Sequence, residues 1–320
     1  MTKNYLLSIC IPTYNRGEIL KKTLASITND PAFDRRVEII VSDNCSTDNT
    51  EEVCKKFTSL FENIRYYKTD SQINEGNFVA VLSHADGLYL KLHNDYAKFK
   101  TGKLEKIIFE IKASLEQTSS LLFIQNNHDY TNTVILTKNI NQFIQSTTYA
   151  ICWITNVGFW KSDFIKIKES SFNYLEYNYI HVDMCLNTLV GGRLANVHYD
   201  DFYDISQAPK NKAIYNVFDV NVSNLLLVFM GFNGSRCLNF QSQIILKRSV
   251  FRNVAFGHFL NMIKLNIKMH TDTDYYKGWW NVLWLNYKSL LFVFFIYDCF
   301  AYTIRKVFKL VTTLMKHSNH

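Results

Sequence analysis

Short apolar runs alternate with segments of helical periodicity over the first hundred residues, and this alternation limits the folds open to the chain. The runs that predict buried strands are Leu6–Ile11, Val37–Val41, Asn63–Tyr67 and Leu88–Leu92. Between them, apolar residues recur at helical spacing in Gly17–Thr28, Glu51–Phe61 and Gly76–Ala85. Strands joined by helical crossovers form βαβ units, so we predict an α/β fold with a mainly parallel, Rossmann-like sheet flanked by helices.

Charge is distributed unevenly along the chain. The 320 residues carry a net charge of +7, and Phe240–His320 contributes eleven Lys and Arg against three Asp and Glu. With 48% apolar residues, the composition excludes a disordered chain. We predict an α/β domain over residues 1–215, with halves 1–100 and 101–215, and a helical, aromatic and basic C-terminal region over 216–320.

The C-terminal region carries a long apolar stretch between aromatic and basic residues. Ser289–Tyr297 is uncharged, Asp298 interrupts it, and Cys299–Ile304 continues it. A spanning helix needs about 20 apolar residues, whereas aromatic and cationic flanks suit a helix that lies on an anionic membrane surface. The flanking residues are Trp279, Trp280, Trp284, Arg305, Lys306, Lys309 and Lys316. We predict membrane association without nucleic acid, and a buried helix packed on the domain is the alternative.

Cysteine usage indicates the compartment. The seven cysteines are an odd number and no pair has CxxC spacing, so reduced thiols are expected rather than a disulfide framework or a zinc site. The first apolar run, Leu6–Ile11, contains six residues and is too short for a signal peptide. We expect a cytoplasmic protein that is peripheral on the inner face of the cell membrane.

Polar residues follow each of the four predicted strands. These loops are Pro12–Arg16, Asp43–Asp48, Gln72–Asn77 and His93–Asp95. Ligands bind at the carboxyl ends of parallel strands, so we expect the loops to form one site. Thr13, Tyr14 and Arg16 can contact a base, ribose or phosphate, and Asp43 can accept hydrogen bonds from a nucleobase or ribose. Asp95, at a strand end, is a natural ligand for Mg²⁺ or Mn²⁺.

Each loop also has an ordinary structural interpretation. Ser46 and Asp48 are expected to cap the following helix. Asn74 and Gly76 permit close approach of the backbone to a ligand, but the same residues suit a simple turn. His93–Asp95 is, taken alone, consistent with a solvated turn.

Taken together, the order and spacing of these loops resemble the family 2 glycosyltransferases of the GT-A fold. The matching segments are SICIPTYNR, VSDNCSTDNT about thirty residues later, QINEG and ADGLYLKLHND. The resemblance is strong over residues 5–100, extends weakly to about residue 205 and does not cover the tail. It implies a nucleotide-sugar donor, held by Pro12, Thr13, Tyr14, Asn15, Arg16, Asp43, Asn74, Gly76, Asn94 and Asp95.

The resemblance places the family's metal-binding DxD motif on His93-Asn94-Asp95, where histidine replaces the first carboxylate. Asp95 alone can hold Mn²⁺ or Mg²⁺ when the other ligands are diphosphate oxygens and water. His93 is a weaker candidate metal ligand, whose nitrogen would favour Mn²⁺, and a role in shaping the site is the alternative. This departure bears on metal affinity and not on the fold.

The resemblance also implies a general base in the second half of the domain. Asp183, in the segment YIHVDM, is the best match, and Glu176 is the second candidate. A positioned carboxylate suffices to deprotonate an acceptor hydroxyl in an inverting single displacement. Because Asp183 precedes an apolar helical stretch, capping of that helix is the alternative role.

The acceptor is less clearly indicated. The QxxRW motif of processive family members does not occur in the sequence, so the resemblance implies transfer of a single sugar. Trp153 can stack on an acceptor sugar or belong to the core, and the sequence leaves both open. Together with the basic tail, the resemblance implies a lipid-linked oligosaccharide acceptor in the synthesis of a bacterial surface polysaccharide, such as O-antigen or capsule.

Other classes of protein fit less well. A nucleotidyltransferase needs a Gly-rich phosphate loop after the first strand, and a dehydrogenase needs GxGxxG there, whereas Pro12–Arg16 contains no Gly. A catalytically inactive relative that serves as a membrane scaffold is the remaining alternative, supported by the altered DxD motif. Asp95 and Asp183 are both present, which favours an enzyme.

Overall fold

The computed structural model divides the chain into two compact units, Met1–Asn211 and Lys212–His320. It describes residues 5–116, 119–126, 131–169, 175–189, 192–206, 219–231 and 235–255, with residues 284, 296, 297, 300, 303 and 304. The predicted division of function between residues 1–215 and 216–320 stays a prediction.

Strands and helices alternate through the first unit. The strands are β1 (Leu7–Thr13), β2 (Val37–Asp43), β3 (Ile64–Lys68), β4 (Tyr89–Leu92), β5 (Lys98–Phe99), β6 (Ser120–Gln125), β7 (Thr133–Thr137), β8 (Gly158–Trp160), β9 (Ala195–Asp200) and β10 (Tyr203–Asp204). The helices of this unit are α1 (Gly17–Thr28), α2 (Thr50–Leu60), α3 (Gly76–Ser83), α4 (Lys103–Ala113), α5 (Ile140–Thr147), α6 (Lys161–Ile167) and α7 (Ile180–Asn187). Short 3₁₀ turns cover Thr148–Cys152 and Ile154–Asn156.

The main sheet has five strands in the order β3-β2-β1-β4-β8. β1 to β4 are parallel, and β8 joins antiparallel to β4. A second sheet has the order β6-β9-β7, with β6 parallel and β7 antiparallel to β9, and β5 pairs antiparallel with β10. This architecture confirms the predicted α/β fold with a mainly parallel sheet.

The central strands β1 and β2 are buried along their whole length. Helices cover both faces of a parallel sheet, so its central strands are continuous apolar runs without alternation. On one face, Leu7, Ile9 and Ile11 belong to the same core cluster as Leu20 and Leu24 of α1. The core thus explains why the sequence pattern identified these strands.

β1 extends two residues beyond its predicted end, through Pro12 and Thr13. β2 pairs with β1 as far as Thr13, whereas β4 pairs with it only as far as Cys10. The Cys10 carbonyl accepts the His93 N–H and therefore faces the β4 side, and residue 12, two positions on, faces the same side. Pairing with β4 has ended there, so the N–H that proline lacks removes no ladder hydrogen bond.

The described part of the second unit is helical. It contains a π-helical turn at Asp219–Asn224, α8 (Leu225–Met230), α9 (Phe240–Val250) and a π-helical turn at Phe251–Ala255. Most of the predicted membrane-associating segment, Trp279–His320, lies outside the described residues. Among the residues that are described, no helix has the length and apolar character needed to cross a membrane.

Candidate active site

The four predicted loops meet at the carboxyl edge of the main sheet, because β1 to β4 run parallel. The first two loops are joined through Asn15. Its N–H donates to Ser46 Oγ at 2.8 Å, and its Oδ1 accepts the Thr47 N–H at 2.8 Å. Ser46 therefore holds the neighbouring loop rather than capping α2. Asp48 does both, since its carboxylate accepts the N–H groups of Thr50 and Gly17, each at 3.0 Å.

Gly17 lies where α1 approaches the start of α2. A Cβ at this position would lie 2.1 Å from Asn49 Oδ1 and 2.9 Å from the Thr50 backbone nitrogen. Only glycine allows this approach, which brings the first two loops together. No local sequence pattern identifies this requirement, because the contact with α2 joins residues about thirty positions apart.

The third loop is tied to the first two. Gln72 Nε2 donates to the Tyr14 hydroxyl, and the Ile73 N–H donates to Asn44 Oδ1 at 2.8 Å. Three non-glycine residues adopt left-handed backbone conformations, one in each loop: φ is 49° at Asn15, 65° at Cys45 and 47° at Asn74. Such conformations cluster at functional sites, where the surrounding structure holds them in place.

Asp43, at the end of β2, is fully buried. Its Oδ1 accepts the Ser46 N–H at 2.8 Å and its Oδ2 accepts the Tyr66 hydroxyl at 2.8 Å. Both carboxylate oxygens thus have partners within the protein. This gives Asp43 a structural role in the loop, and its predicted contact with a nucleobase or ribose stays a prediction.

Asp95 connects the fourth loop to the first. Its Oδ2 accepts the Thr13 hydroxyl at 2.9 Å, and its Oδ1 accepts a hydrogen bond from Arg16 Nη1 at 3.0 Å. Burial raises the pKa of Asp95, and the Arg16 guanidinium and the Thr13 hydroxyl oppose that rise. The Arg16 side chain is 38% exposed and that of Asp95 only 2%, so the accessible part of the pair is the cation. An accessible guanidinium is suited to a phosphate.

His93 points away from this exposed edge. It is fully buried, stacks on Phe99 with ring centroids 4.8 Å apart and meets Tyr203 edge-on. Burial lowers its pKa to about 3, so the ring is neutral and Nε2 donates to the Ala97 carbonyl at 2.8 Å. These contacts argue against the weaker prediction that His93 is a metal ligand. They favour the alternative, in which His93 shapes the base of the loop.

The oxygen and nitrogen donors near Asp95 fit a metal ion only in part. No three His, Cys, Asp or Glu side chains come together as a metal-binding group within the described ranges. The site therefore lacks a protein-only cage there, but the Asp95 carboxylate together with diphosphate oxygens matches the usual environment of Mg²⁺. Because Oδ1 already accepts Arg16, a metal at Asp95 has to displace or share that contact.

The fourth loop also contacts the second half of the domain. The Asn94 backbone N–H and side-chain Nδ2 both donate to Thr155 Oγ1, at 2.9 and 2.8 Å. Lys91 Nζ donates to the Thr155 carbonyl, and burial lowers the pKa of Lys91 to about 7. Asn94 is thus held by the protein, and its predicted contact with the donor stays a prediction.

Trp153 is half-buried beside this loop. Its Nε1 donates to the Tyr96 hydroxyl at 3.0 Å, and its ring meets Tyr203 edge-on at 5.6 Å. Tyr96 directly follows Asp95, so an aromatic pair borders the predicted donor site. The Trp153 ring therefore has a contact with the core and also a partly accessible surface. Its stacking on an acceptor sugar stays a prediction.

Asp183 lies in the first turn of α7 and is fully buried. Asn187 Nδ2 donates to its Oδ2 at 3.0 Å, one turn further along the helix. Glu176, the second candidate base, is exposed. The structure connects α7 to the donor loops through a residue that the sequence analysis did not single out: Glu75 Oε2 accepts the Ile180 N–H at 2.9 Å.

Curated relatives match the chain over short regions. Abequosyltransferase RfbV of Salmonella typhimurium is 44% identical over 87 residues, 26% of this chain and 26% of that protein. The GalNAc(5)-diNAcBac-PP-undecaprenol beta-1,3-glucosyltransferase of Campylobacter jejuni is 32% identical over 104 residues, 32% of this chain and 33% of that protein. The matched region therefore spans only a quarter to a third of these relatives.

Solved structures share the fold over most of the chain. S. aureus TarS 1-349 in complex with UDP-GlcNAc has a TM-score of 0.58 and 14% identity, covering 88% of this chain and 81% of that one. Mannosyltransferase PcManGT from Pyrobaculum calidifontis, in complex with GDP-Man and Mn²⁺, has a TM-score of 0.52 and 12% identity, covering 84% and 82%. At these identities the likeness shows the fold alone.

The family description Glycosyl transferase family 2 matches residues 8–167, which is half of the chain. The matched range contains all four loops at the carboxyl edge of the main sheet, together with Trp153, and ends before α7. The match agrees with the predicted GT-A fold and with the resemblance found in the sequence. The chain belongs to glycosyl transferase family 2.

Proposed function

We propose that the protein is an inverting glycosyltransferase that moves one sugar from a nucleotide-sugar donor to an acceptor hydroxyl. The observation that carries this proposal is the Arg16–Asp95 ion pair at the carboxyl edge of the sheet, held by Thr13 within four interconnected loops. A half-exposed cation beside a buried carboxylate is an arrangement suited to a nucleoside diphosphate. The structural neighbours in complex with UDP-GlcNAc and with GDP-Man support the same donor class.

The donor diphosphate binds at Arg16, and the nucleoside lies across the loops of Tyr14, Asp43 and Asn74. Asp95 would hold Mn²⁺ or Mg²⁺ together with diphosphate oxygens. When bound, the metal would supply charge neutralisation for the departing nucleoside diphosphate. The guanidinium of Arg16 performs part of the same task as a fixed hydrogen-bond donor.

Asp183 is the general base of the proposed reaction. The acceptor oxygen forms a bond to the anomeric carbon, the bond from that carbon to the diphosphate oxygen breaks, and the acceptor proton passes to the Asp183 carboxylate. Attack from the face opposite the leaving group inverts the anomeric centre. Because Asp183 is fully buried, acceptor binding has to open a path to its carboxylate.

We further propose a lipid-linked oligosaccharide as acceptor, in the synthesis of a bacterial surface polysaccharide. The name of the Campylobacter jejuni relative includes an undecaprenol-linked saccharide, which supports this class. The aromatic pair Trp153 and Tyr96 borders the donor site and offers a face for an acceptor sugar ring. A peripheral position on an anionic membrane, through the basic C-terminal region, would bring the enzyme to such an acceptor.

The direct test is a thermal-shift screen with UDP, GDP, CDP and dTDP, each with and without Mn²⁺ or Mg²⁺. Ligand binding stabilises the native state by roughly 2.7 kcal/mol at a concentration 100 times Kd. We expect one diphosphate to raise Tm with metal, and Asp95→Asn to abolish the metal dependence. The matched control is Asp86→Asn, because Asp86 precedes strand β4 whereas Asp95 follows it. The absence of any shift would contradict the transferase and favour an inactive scaffold.

A further inference from the structure

Glu75 stands at the start of α3 but makes no side-chain hydrogen bond to that helix. Its carboxylate instead accepts the N–H of Ile180, the first residue of α7, across a separation of 105 residues. A carboxyl oxygen at a helix N-terminus satisfies one of the N–H groups that have no partner within the helix. The Glu75 side chain thus accepts a hydrogen bond from α7, the helix that carries Asp183.

The same end of α7 has two further contacts. His181 Nε2 donates to the Cys152 carbonyl at 2.9 Å, and Phe78 of α3 meets the His181 ring edge-on at 5.5 Å. Burial lowers the pKa of His181 to about 4, so the ring is neutral and donates to the carbonyl through this nitrogen. Contacts from α3 and from the turn at Cys152 therefore hold the His181 side chain of α7, while Glu75 holds the N–H of its first residue.

The loop of Glu75 is the loop tied to the donor site. Gln72 contacts Tyr14, and Ile73 contacts Asn44, in the first and second loops. Asn74, between Ile73 and Glu75, holds a left-handed conformation with φ of 47°. A short stretch of backbone therefore connects the loops proposed to contact the donor with the amino end of α7.

The surroundings of Glu75 favour a neutral carboxyl group that accepts a hydrogen bond over an ionised carboxylate. Burial raises the pKa of Glu75 to about 8, and the hydrogen bond from Ile180 opposes that rise. The Cys152 thiol near this carboxyl is neutral, because burial raises its pKa. A neutral amide oxygen can therefore replace the carboxyl, whereas a methyl group would leave the Ile180 N–H unsatisfied.

We propose that Glu75 is a positioning residue that sets α7, and with it Asp183, relative to the donor loops. The inference rests on the proposed role of Asp183 as general base. Asp183 lies within one turn of Ile180, so a shift of the amino end of α7 moves its carboxylate directly. A misplacement of about 1 Å can cost on the order of a hundredfold in rate.

The test compares Glu75→Ala, Glu75→Gln and the control Glu52→Gln, an exposed glutamate in the first turn of α2. Each is also combined with Asp183→Asn. The readouts are kcat and KM for release of UDP from UDP-GlcNAc, or GDP from GDP-mannose, with water as the acceptor. Hydrogen exchange at the Ile180 amide measures whether the bond from Glu75 is lost.

We expect Glu75→Ala to lower kcat by about tenfold to a hundredfold with KM nearly unchanged. Glu75→Gln should restore most of the rate, and Glu75→Ala should have no further effect when Asp183 is already Asn. A full additional loss in that background, or a loss in KM alone, would overturn the positioning role. If Asp183→Asn is inactive and Glu75→Ala is fully active, only the positioning role of Glu75 is wrong. If Asp183→Asn is itself active, the assignment of Asp183 as general base is wrong.

Discussion

The two halves of the first unit present their functional groups differently. On the donor side, four loops carry polar groups to one edge of a parallel sheet, and hydrogen bonds from Thr13, Asn15, Gln72 and Ile73 connect them. On the acceptor side, the proposed base Asp183 is buried in α7 and held by Asn187. The Arg16 side chain is partly exposed on the donor side, whereas the Asp183 side chain on the acceptor side is buried.

For the proposed reaction, this difference predicts a preformed donor site and a general base that becomes accessible when the acceptor binds. Hydrogen bonds between loops fix the donor groups before a ligand arrives, which reduces the ordering cost of binding. A buried carboxylate meets bulk water only rarely, which keeps its hydrolysis of the donor slow compared with transfer to an acceptor. Donor binding and proton removal should therefore respond to different substitutions.

The largest expected effect comes from Asp183→Asn. Loss of a positioned general base typically reduces rates by about 10²- to 10⁴-fold. We expect kcat to fall by this amount while the Kd of the nucleoside diphosphate is unchanged, because Asp183 lies outside the donor loops. Isothermal titration with the diphosphate and a transfer assay separate the two quantities.

The control for that experiment is Asp163→Asn, which replaces another buried aspartate. Asp163 pairs with Arg193, so its loss should lower the free energy of unfolding while leaving kcat close to the native value. Equal losses of kcat and of diphosphate affinity in Asp183→Asn would reassign Asp183 as a structural residue of α7.

The donor side was largely predictable from the sequence, because its information is local. Buried strands, the turns after them and the motif order lie within one continuous stretch, and no predicted strand or helix bound differs from the structure by more than two residues. Even there, Pro12 and Thr13 belong to β1 rather than to a loop, because β1 pairs further with β2 than with β4.

The acceptor side depends on contacts between residues far apart in the sequence. The hydrogen bonds from the Ile180 N–H to Glu75 and from Trp153 to Tyr96 join residues 105 and 57 positions apart, and no local pattern encodes them. His93 illustrates the same limit. The altered DxD motif suggested a metal ligand, but only the packing of Phe99 and Tyr203 shows that the ring faces the interior.

A smaller effect is expected from Arg16→Gln, which tests the donor side alone. Hydrogen bonds to charged groups contribute about 1.5–3 kcal/mol, so the affinity for a nucleoside diphosphate should fall by about tenfold to a hundredfold. Arg16→Lys keeps the charge but lacks the planar guanidinium, so its diphosphate affinity should lie between those of the native protein and Arg16→Gln. Titration at two salt concentrations should show a weaker salt dependence in Arg16→Gln.

Arg36→Gln is the matched control. Arg36 also pairs with carboxylates, those of Asp34 and Glu105, but it precedes β2 and so lies at the amino end of the sheet. We expect its loss to leave diphosphate affinity unchanged. A decrease equal to that of Arg16→Gln would show that general electrostatics, and not the Arg16–Asp95 pair, governs donor binding.

The finest distinction within the donor side comes from two glycines. Gly17→Ala forces a Cβ against Asn49 and the Thr50 backbone, so the free energy of unfolding should fall by about 1–3 kcal/mol. Gly76→Ala has Ile73 as its nearest neighbour, at an ordinary 3.6 Å, and should change stability by less than about 0.5 kcal/mol. If a donor approaches the backbone at Gly76, its affinity falls while urea unfolding stays native-like. Unchanged affinity for the diphosphate in Gly76→Ala would remove this residue from the donor site and leave Gly17 as the glycine that the loops require.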